Sequence, residues 1–96
     1  ELRVVRVTDR FDDACHLYGA VLGWRVTREW TEGGRGRIFG YGDVGRFELI
    51  EHDHSDPVTG LFLSVQHDDV AALHDTLVAA GVPVLRALRE LPVRQP

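Results

Sequence analysis

The stretch Arg46-Phe47-Glu48-Leu49-Ile50-Glu51-His52 constrains this chain more than any other. Apolar and polar residues nearly alternate along it, and successive side chains of a strand point to opposite faces of a sheet. A strand here puts Phe47 and Leu49 on one face and Glu48, Ile50 and His52 on the other. The first face suits a core. The second carries a carboxylate and an imidazole beside an apolar residue, which makes it either the wall of a site or a wetted surface.

The rest of the chain supplies partners for that strand. Leu2–Thr8 is rich in β-branched residues and predicts a first strand. Phe11, Ala14, Cys15, Tyr18, Val21 and Leu22 then recur at helical spacing, with Asp9 or Asp12 placed to cap the start and Gly23 to end it. Trp24–Trp30 reads as a second strand with Trp24, Val26, Arg28 and Trp30 on one face. Arg35–Tyr41 reads as a third, and short glycine-containing turns join it to its neighbours, so an antiparallel meander is expected. After a polar loop around Pro57 the order starts again. Leu61–Gln66 reads as a strand, Asp68 or Asp69 caps a helix that Gly81 ends, and Val82–Leu85 begins another strand.

Composition narrows the class. The 96 residues make one small domain, and a 44% hydrophobic content excludes a disordered chain. Net charge of −4 argues against a nucleic-acid partner held through phosphates. No apolar run approaches the ~18 residues needed to span a membrane. The single Cys15 has no disulfide partner within the chain, which points to a reducing cytoplasm. The sequence begins at Glu1 and not at methionine, so a preceding segment is expected.

Several short matches fall in order along the chain. They are Val7-Thr8-Asp9, Tyr18, Leu22-Gly23-Trp24, Phe47–Glu51, and His67-Asp68-Asp69-Val70 through Ala80-Gly81-Val82. In this order and spacing the chain resembles the vicinal oxygen chelate superfamily, the group of glyoxalase I, bleomycin-resistance proteins and extradiol dioxygenases. The resemblance implies an α+β fold of paired βαβββ units, in which a curved mixed sheet surrounds a cavity. One domain would span 1–96, with the first unit over about 2–52 and the second over about 61–96. That second unit is incomplete, because its last two strands are absent. Enzymes of the family hold a divalent metal through a His on the first strand, a Glu on the fourth, a His on the fifth and a Glu on the eighth. Carried over, the fourth-strand Glu is Glu48, the first His falls at Leu2, and the fifth-strand His falls at Gly60, Leu61 or Phe62. One visible ligand survives, whereas a catalytic metal needs about three. The resemblance thus implies the fold and the cavity and argues against the metal chemistry.

The candidate ligand-binding residues are Glu48, Ile50, Arg6, Phe39, Tyr41, Phe62 and Trp30. Glu48 would fix a polar or cationic group or act as a base, and the aromatic residues would supply flat contact area. Against this, Arg6 or Arg37 would neutralise Glu48 as a structural ion pair. Glu48 with His52 and His54 would form a mixed metal site if the strand continued, although a polar loop with exposed histidines is the plainer reading. His74 and Cys15 lie on apolar stripes and read as packing residues, His16 reads as solvated, and His67 falls at a strand end near the helix cap with no partner that the sequence names. The function expected is small-molecule binding without a cofactor, as in the bleomycin-resistance branch, by a homodimer. The alternatives are a metal-dependent lyase, isomerase or dioxygenase using a divalent metal ion, and a pure interaction domain.

Overall fold

The computed structural model describes residues 2–43, 45–53 and 63–85. They fall in two compact units, Glu1–Leu63 and Ser64–Pro96.

The first unit contains β1 (Leu2–Thr8), a helical segment, β2 (Arg25–Trp30), β3 (Gly36–Tyr41) and β4 (Gly45–Glu51), in the expected order. Across the sheet the strands run β1-β4-β3-β2. β1 is parallel to β4, while β2, β3 and β4 form the antiparallel meander. The helical segment carries the chain from β1 across the sheet to β2, and the meander then brings β4 back beside β1. The result is an α+β fold around an open mixed sheet.

The helical segment is not the single α-helix that the periodicity predicts. It begins as α1 (Phe11–Cys15) and widens into a π-helical stretch, His16–Val21. The Leu22 N–H accordingly donates to the Leu17 carbonyl at 2.9 Å, five residues back. Gly23 ends the segment at φ 71°, a left-handed conformation open to glycine. Neither Asp9 nor Asp12 caps the start. Arg10 occupies the N-cap position, and no side chain caps it.

The segment covers one face of the sheet. Phe11, Cys15, Trp24, Phe39, Phe47 and Leu49 form the core, with Ala14, Tyr18 and Leu22 packed against it. Phe39 and Leu49 are fully buried, and each such side chain contributes about 1.5–3 kcal/mol through removal from water. Tyr18 ties the layers together, its ring centroid 4.7 Å from that of Phe47 and 5.1 Å from that of Trp24. β2 carries a bulge between Val26 and Arg28, where the Thr27 hydroxyl donates to the Ile38 carbonyl at 3.2 Å.

One cation ties the start of α1 to the sheet. Arg35, just before β3, donates to Asp12 at 2.8 Å and to Glu51 at 2.6 Å, and its guanidinium lies 4.8 Å from the centroid of the Phe11 ring. Hydrogen bonding to Arg35 holds both carboxyls below their ordinary values, 3.8 for Asp12 and 4.5 for Glu51. Asp12 lies inside the first turn of α1, past the N-cap position, and its carboxylate pairs with Arg35.

The second unit contains α2 (Val70–Ala79). Asp69 caps it, accepting from the Ala72 N–H at 3.0 Å. At the far end the Val82 N–H donates to the Leu77 carbonyl and the Gly81 N–H to the Val78 carbonyl, with Gly81 at φ 78°. These bonds satisfy carbonyls that the helix leaves open. The predicted strands do not form in the described parts of Leu61–Gln66 and Val82–Leu85: residues 63–66 and 82–85 carry no strand. A strand needs a neighbour to accept its ladder bonds, and neither stretch finds one among the described residues. Among those residues no helix is long and apolar enough to cross a membrane.

Two expected outcomes test this packing. The indole of Trp30 lies over Gly36 where a Cβ would project, so Gly36→Val should cost about 1–3 kcal/mol in urea unfolding. An unchanged midpoint would contradict the stacking. Lowered carboxyl values mean that the Arg35 clamp stabilises fully above about pH 4.5 and is lost as pH falls through the depressed values. Arg35→Gln should therefore lower the melting temperature near neutrality, and the gap to the parent chain should close as pH falls through the depressed carboxyl values.

Candidate functional site

The face of the sheet away from the helical segment is set out in rows, because paired residues of adjacent strands point the same way. One row, read from β1 to β2, is Arg3, Arg46, Gly40 and Arg25. The next is Val5, Glu48, Ile38 and Arg28, and the third is Val7, Ile50, Gly36 and Trp30. The face thus grades from arginines at one end to apolar and aromatic groups at the other.

Glu48 sits in the middle row. Its side chain is 13% exposed, and Oε1 accepts from Arg3 Nη1 at 2.9 Å. Beside it Ile38 is buried. Trp30 packs flat over Gly36, and the Arg28 guanidinium lies 6.0 Å from its ring centroid. A half-buried ion pair in apolar surroundings holds its geometry better than an exposed one, because water competes less for its partners.

Three of the seven residues expected to bind a ligand share this face: Glu48, Ile50 and Trp30. Three others lie on the helix-covered face. Phe39 is wholly buried in the core. Tyr41 packs against Trp24 at 5.3 Å between centroids. Arg6 stands opposite Leu49 and acts electrostatically on the Tyr18 hydroxyl, whose pKa burial raises and Arg6 lowers. Phe62 and His54 lie outside the described residues. The ion-pair partner of Glu48 is Arg3, not Arg6 or Arg37, because both of those have the other parity. Arg37 pairs with Glu29 at 3.1 Å instead. His52 follows β4, its N–H bonded to the Thr8 carbonyl at 2.9 Å and its ring 2.8 Å from Asp53. His67 lies beside the α2 cap as expected, and its partner is the Asp69 N–H, which donates to His67 Nδ1 at 3.0 Å.

Arg3, Arg25, Arg28 and Arg46 were not singled out by sequence reasoning. Their common face follows from the parallel register of β1 on β4 and from the bulge in β2. The bulge also separates Val26, which pairs with Phe39, from Arg28 and Trp30.

Among the described residues, the donors around Glu48 do not make up a set that fits a divalent ion. Leu2, the position corresponding to the first-strand histidine, stands opposite Gly45 with the parity of the core. The residue opposite Glu48 on β1 is Val5. Among the described residues no three His, Cys, Asp or Glu side chains gather. The cation next to Glu48 is the guanidinium of Arg3.

Comparison with known proteins gives the lineage. The crystal structure of YycE from Bacillus subtilis, a protein of unknown function and a candidate glyoxalase/fosfomycin resistance protein, superposes with a TM-score of 0.71 at 21% identity. The match covers 84% of this chain and 66% of that one. The crystal structure of SMU.1112c gives a TM-score of 0.64 at 18% identity, covering 84% of this chain and 74% of the other. The chain thus spans about two thirds to three quarters of the length of these neighbours, and they bear on its fold alone. No curated protein sequence matches. A family model does match, over residues 2–93. With the βαβββ order in place, the chain belongs to the glyoxalase/bleomycin resistance protein/dioxygenase superfamily.

Proposed function

We propose that the open face of the sheet holds a small organic molecule, and that the chain does so without a resident metal. The observation that carries this reading is the company Glu48 keeps. A carboxylate fixed by Arg3 at 2.9 Å is set beside Ile38 and Ile50, one row from the indole of Trp30. Binding sites combine apolar walls with a few fixed polar groups, because apolar area gives affinity and the polar groups give orientation. Glu48 supplies a fixed acceptor and Trp30 a flat surface. Nothing in this arrangement requires turnover, so sequestration of a ligand, as in bleomycin resistance, is its concrete form.

Two further features fit the same reading. β1 lies at one edge of the described sheet and exposes Leu2, Val4, Val5 and Val7, and an apolar edge favours association with a second chain. Cys15 is buried, and burial raises its pKa. An inert thiol of that kind suits a reducing cytoplasm.

A thermal-shift and fluorescence screen of planar organic molecules tests the proposal. Hits should lose about tenfold in affinity on Trp30→Ala, equivalent to about 1.4 kcal/mol, and should be indifferent to chelators. About one divalent ion per chain, released on Glu48→Ala together with the ligand, would overturn it.

A further inference from the structure

We infer that two copies of this chain join through β1, which pairs antiparallel with β1 of the second copy about a two-fold axis at Val5. This pairing rests on the reading of the apolar β1 edge as an associating one, and gives it a partner, a direction and a register.

The two edges of the described sheet differ. β2 carries a bulge and the charged side chains of Arg25, Arg28 and Glu29, and bulges and charges keep an edge from pairing further. β1 has no bulge, and all seven of its residues pair in step with β4. Its side chains are bare on both faces. Leu2 and Val4 have the parity of the core, opposite Gly45 and Phe47, yet are 80% and 40% exposed. Val5 and Val7, on the other face, are exposed as well. The helical segment therefore leaves β1 uncovered.

The backbone settles which residues a new strand meets. In a strand the N–H and C=O of one residue point to the same side, and successive residues alternate. The Thr8 carbonyl accepts from the His52 N–H at 2.9 Å, so Thr8 faces β4. Arg6, Val4 and Leu2 share that direction, and Val5 and Val7 turn their backbone groups outward. Val5 is also the midpoint of Leu2–Thr8. A strand running antiparallel about Val5 thus overlaps the whole of β1 and bonds where donors and acceptors are offered. A shift by one residue would put core-side residues against open-face ones.

Charge selects the same register and makes a second copy the fitting partner. With Val5 opposite Val5, Arg3 stands opposite Val7 and Val4 opposite Arg6, so every arginine meets a valine. Centring on Arg3 or on Arg6 would set that arginine against itself, and like charges directly opposite destabilise a pair. Centring on Val4 would shorten the overlap to Leu2–Arg6. β1 is therefore complementary to itself over its full length in one register. Val5 is the ladder partner of Glu48, so the two open faces become continuous across the axis. The partner's Val5 extends the apolar wall, and the two Glu48 positions stand three strand spacings, about 14 Å, apart.

Sedimentation and cross-linking of the full chain test the pairing. The parent should show a concentration-dependent dimer. The Val5 N–H faces away from β4, so Val5→Pro should keep the parent's circular dichroism and weaken dimerisation at least about tenfold. Val4 and the partner's Arg6 form a pair without mutual hydrogen bonds, their Cα atoms about 4.5 Å apart and within disulfide range. Oxidising a mixture of Val4→Cys and Arg6→Cys chains should therefore give the mixed disulfide dimer, and neither chain alone should link through its new thiol. Cys15 is buried and stays out of the reaction. A dimer unmoved by Val5→Pro, or a mixture that links no better than Val4→Cys alone, would overturn the pairing and leave association through another surface. A monomer at every concentration would overturn both. Slow amide exchange at Val5 and Val7 in that monomer would assign the edge to a segment of the same chain.

Discussion

The structure depends on the parity of β4. This strand lies inside the sheet, between β1 and β3. Phe47 and Leu49 enter the core beneath the helical segment, and Tyr18 closes over Phe47. A slip of one residue would send Glu48 and Ile50 into that core and expose Phe47 and Leu49. The desolvation of an unpaired carboxylate makes such a slip prohibitive. The same constraint propagates outward through the ladder. Once Phe47 is fixed, Phe39 must also face the helical segment, and Gly40, Ile38 and Gly36 must face away. The open face is thus the complement of the core.

That parity is why part of the site could be read from sequence. The alternation over 46–52 assigns Glu48 and Ile50 to one side without any coordinates, and the capping role of Asp69 and the stop at Gly23 follow from local chemistry. Other features depended on facts that no single stretch contains. The bulge at Thr27 breaks the period of β2, so the expected common face of Val26, Arg28 and Trp30 does not exist. Arg3 becomes the partner of Glu48 only through the register of a parallel pair, which is set by a crossover and not by a turn. Gly40 looks like any strand glycine until its row is known. The π-helical stretch had no sequence signal that helical periodicity could detect, because its apolar residues recur at nearly the same spacing.

Family resemblance and physical reading part company at Glu48. The resemblance supplies a carboxylate that in related enzymes faces a metal. In this chain the same position faces Arg3, a cation built into the neighbouring strand and charged at every accessible pH. A guanidinium orients a carboxylate and leaves spare donors, but it does not offer open coordination positions to a substrate. On the proposed reading the chemistry of this face is that of recognition: hydrogen bonds, charge and flat apolar contact. In the proposed function the fold's open face keeps its place as the ligand wall while the means of holding the ligand changes.

The central claim is that ligand meets the Glu48 side of the sheet and not the Phe47 side. The chain's two isoleucines, Ile38 and Ile50, both lie on that side, whereas Leu49 is buried on the other. Methyl-labelled protein titrated with a planar organic hit from the thermal-shift screen and followed by NMR reads the two sides separately. The account predicts that the Ile38 and Ile50 methyl signals shift together, with new contacts from ligand protons to Ile50 and the Trp30 ring, while Leu49 stays in place. Shifts centred on Leu49 and the aromatic core, with both isoleucine signals unmoved, would contradict it.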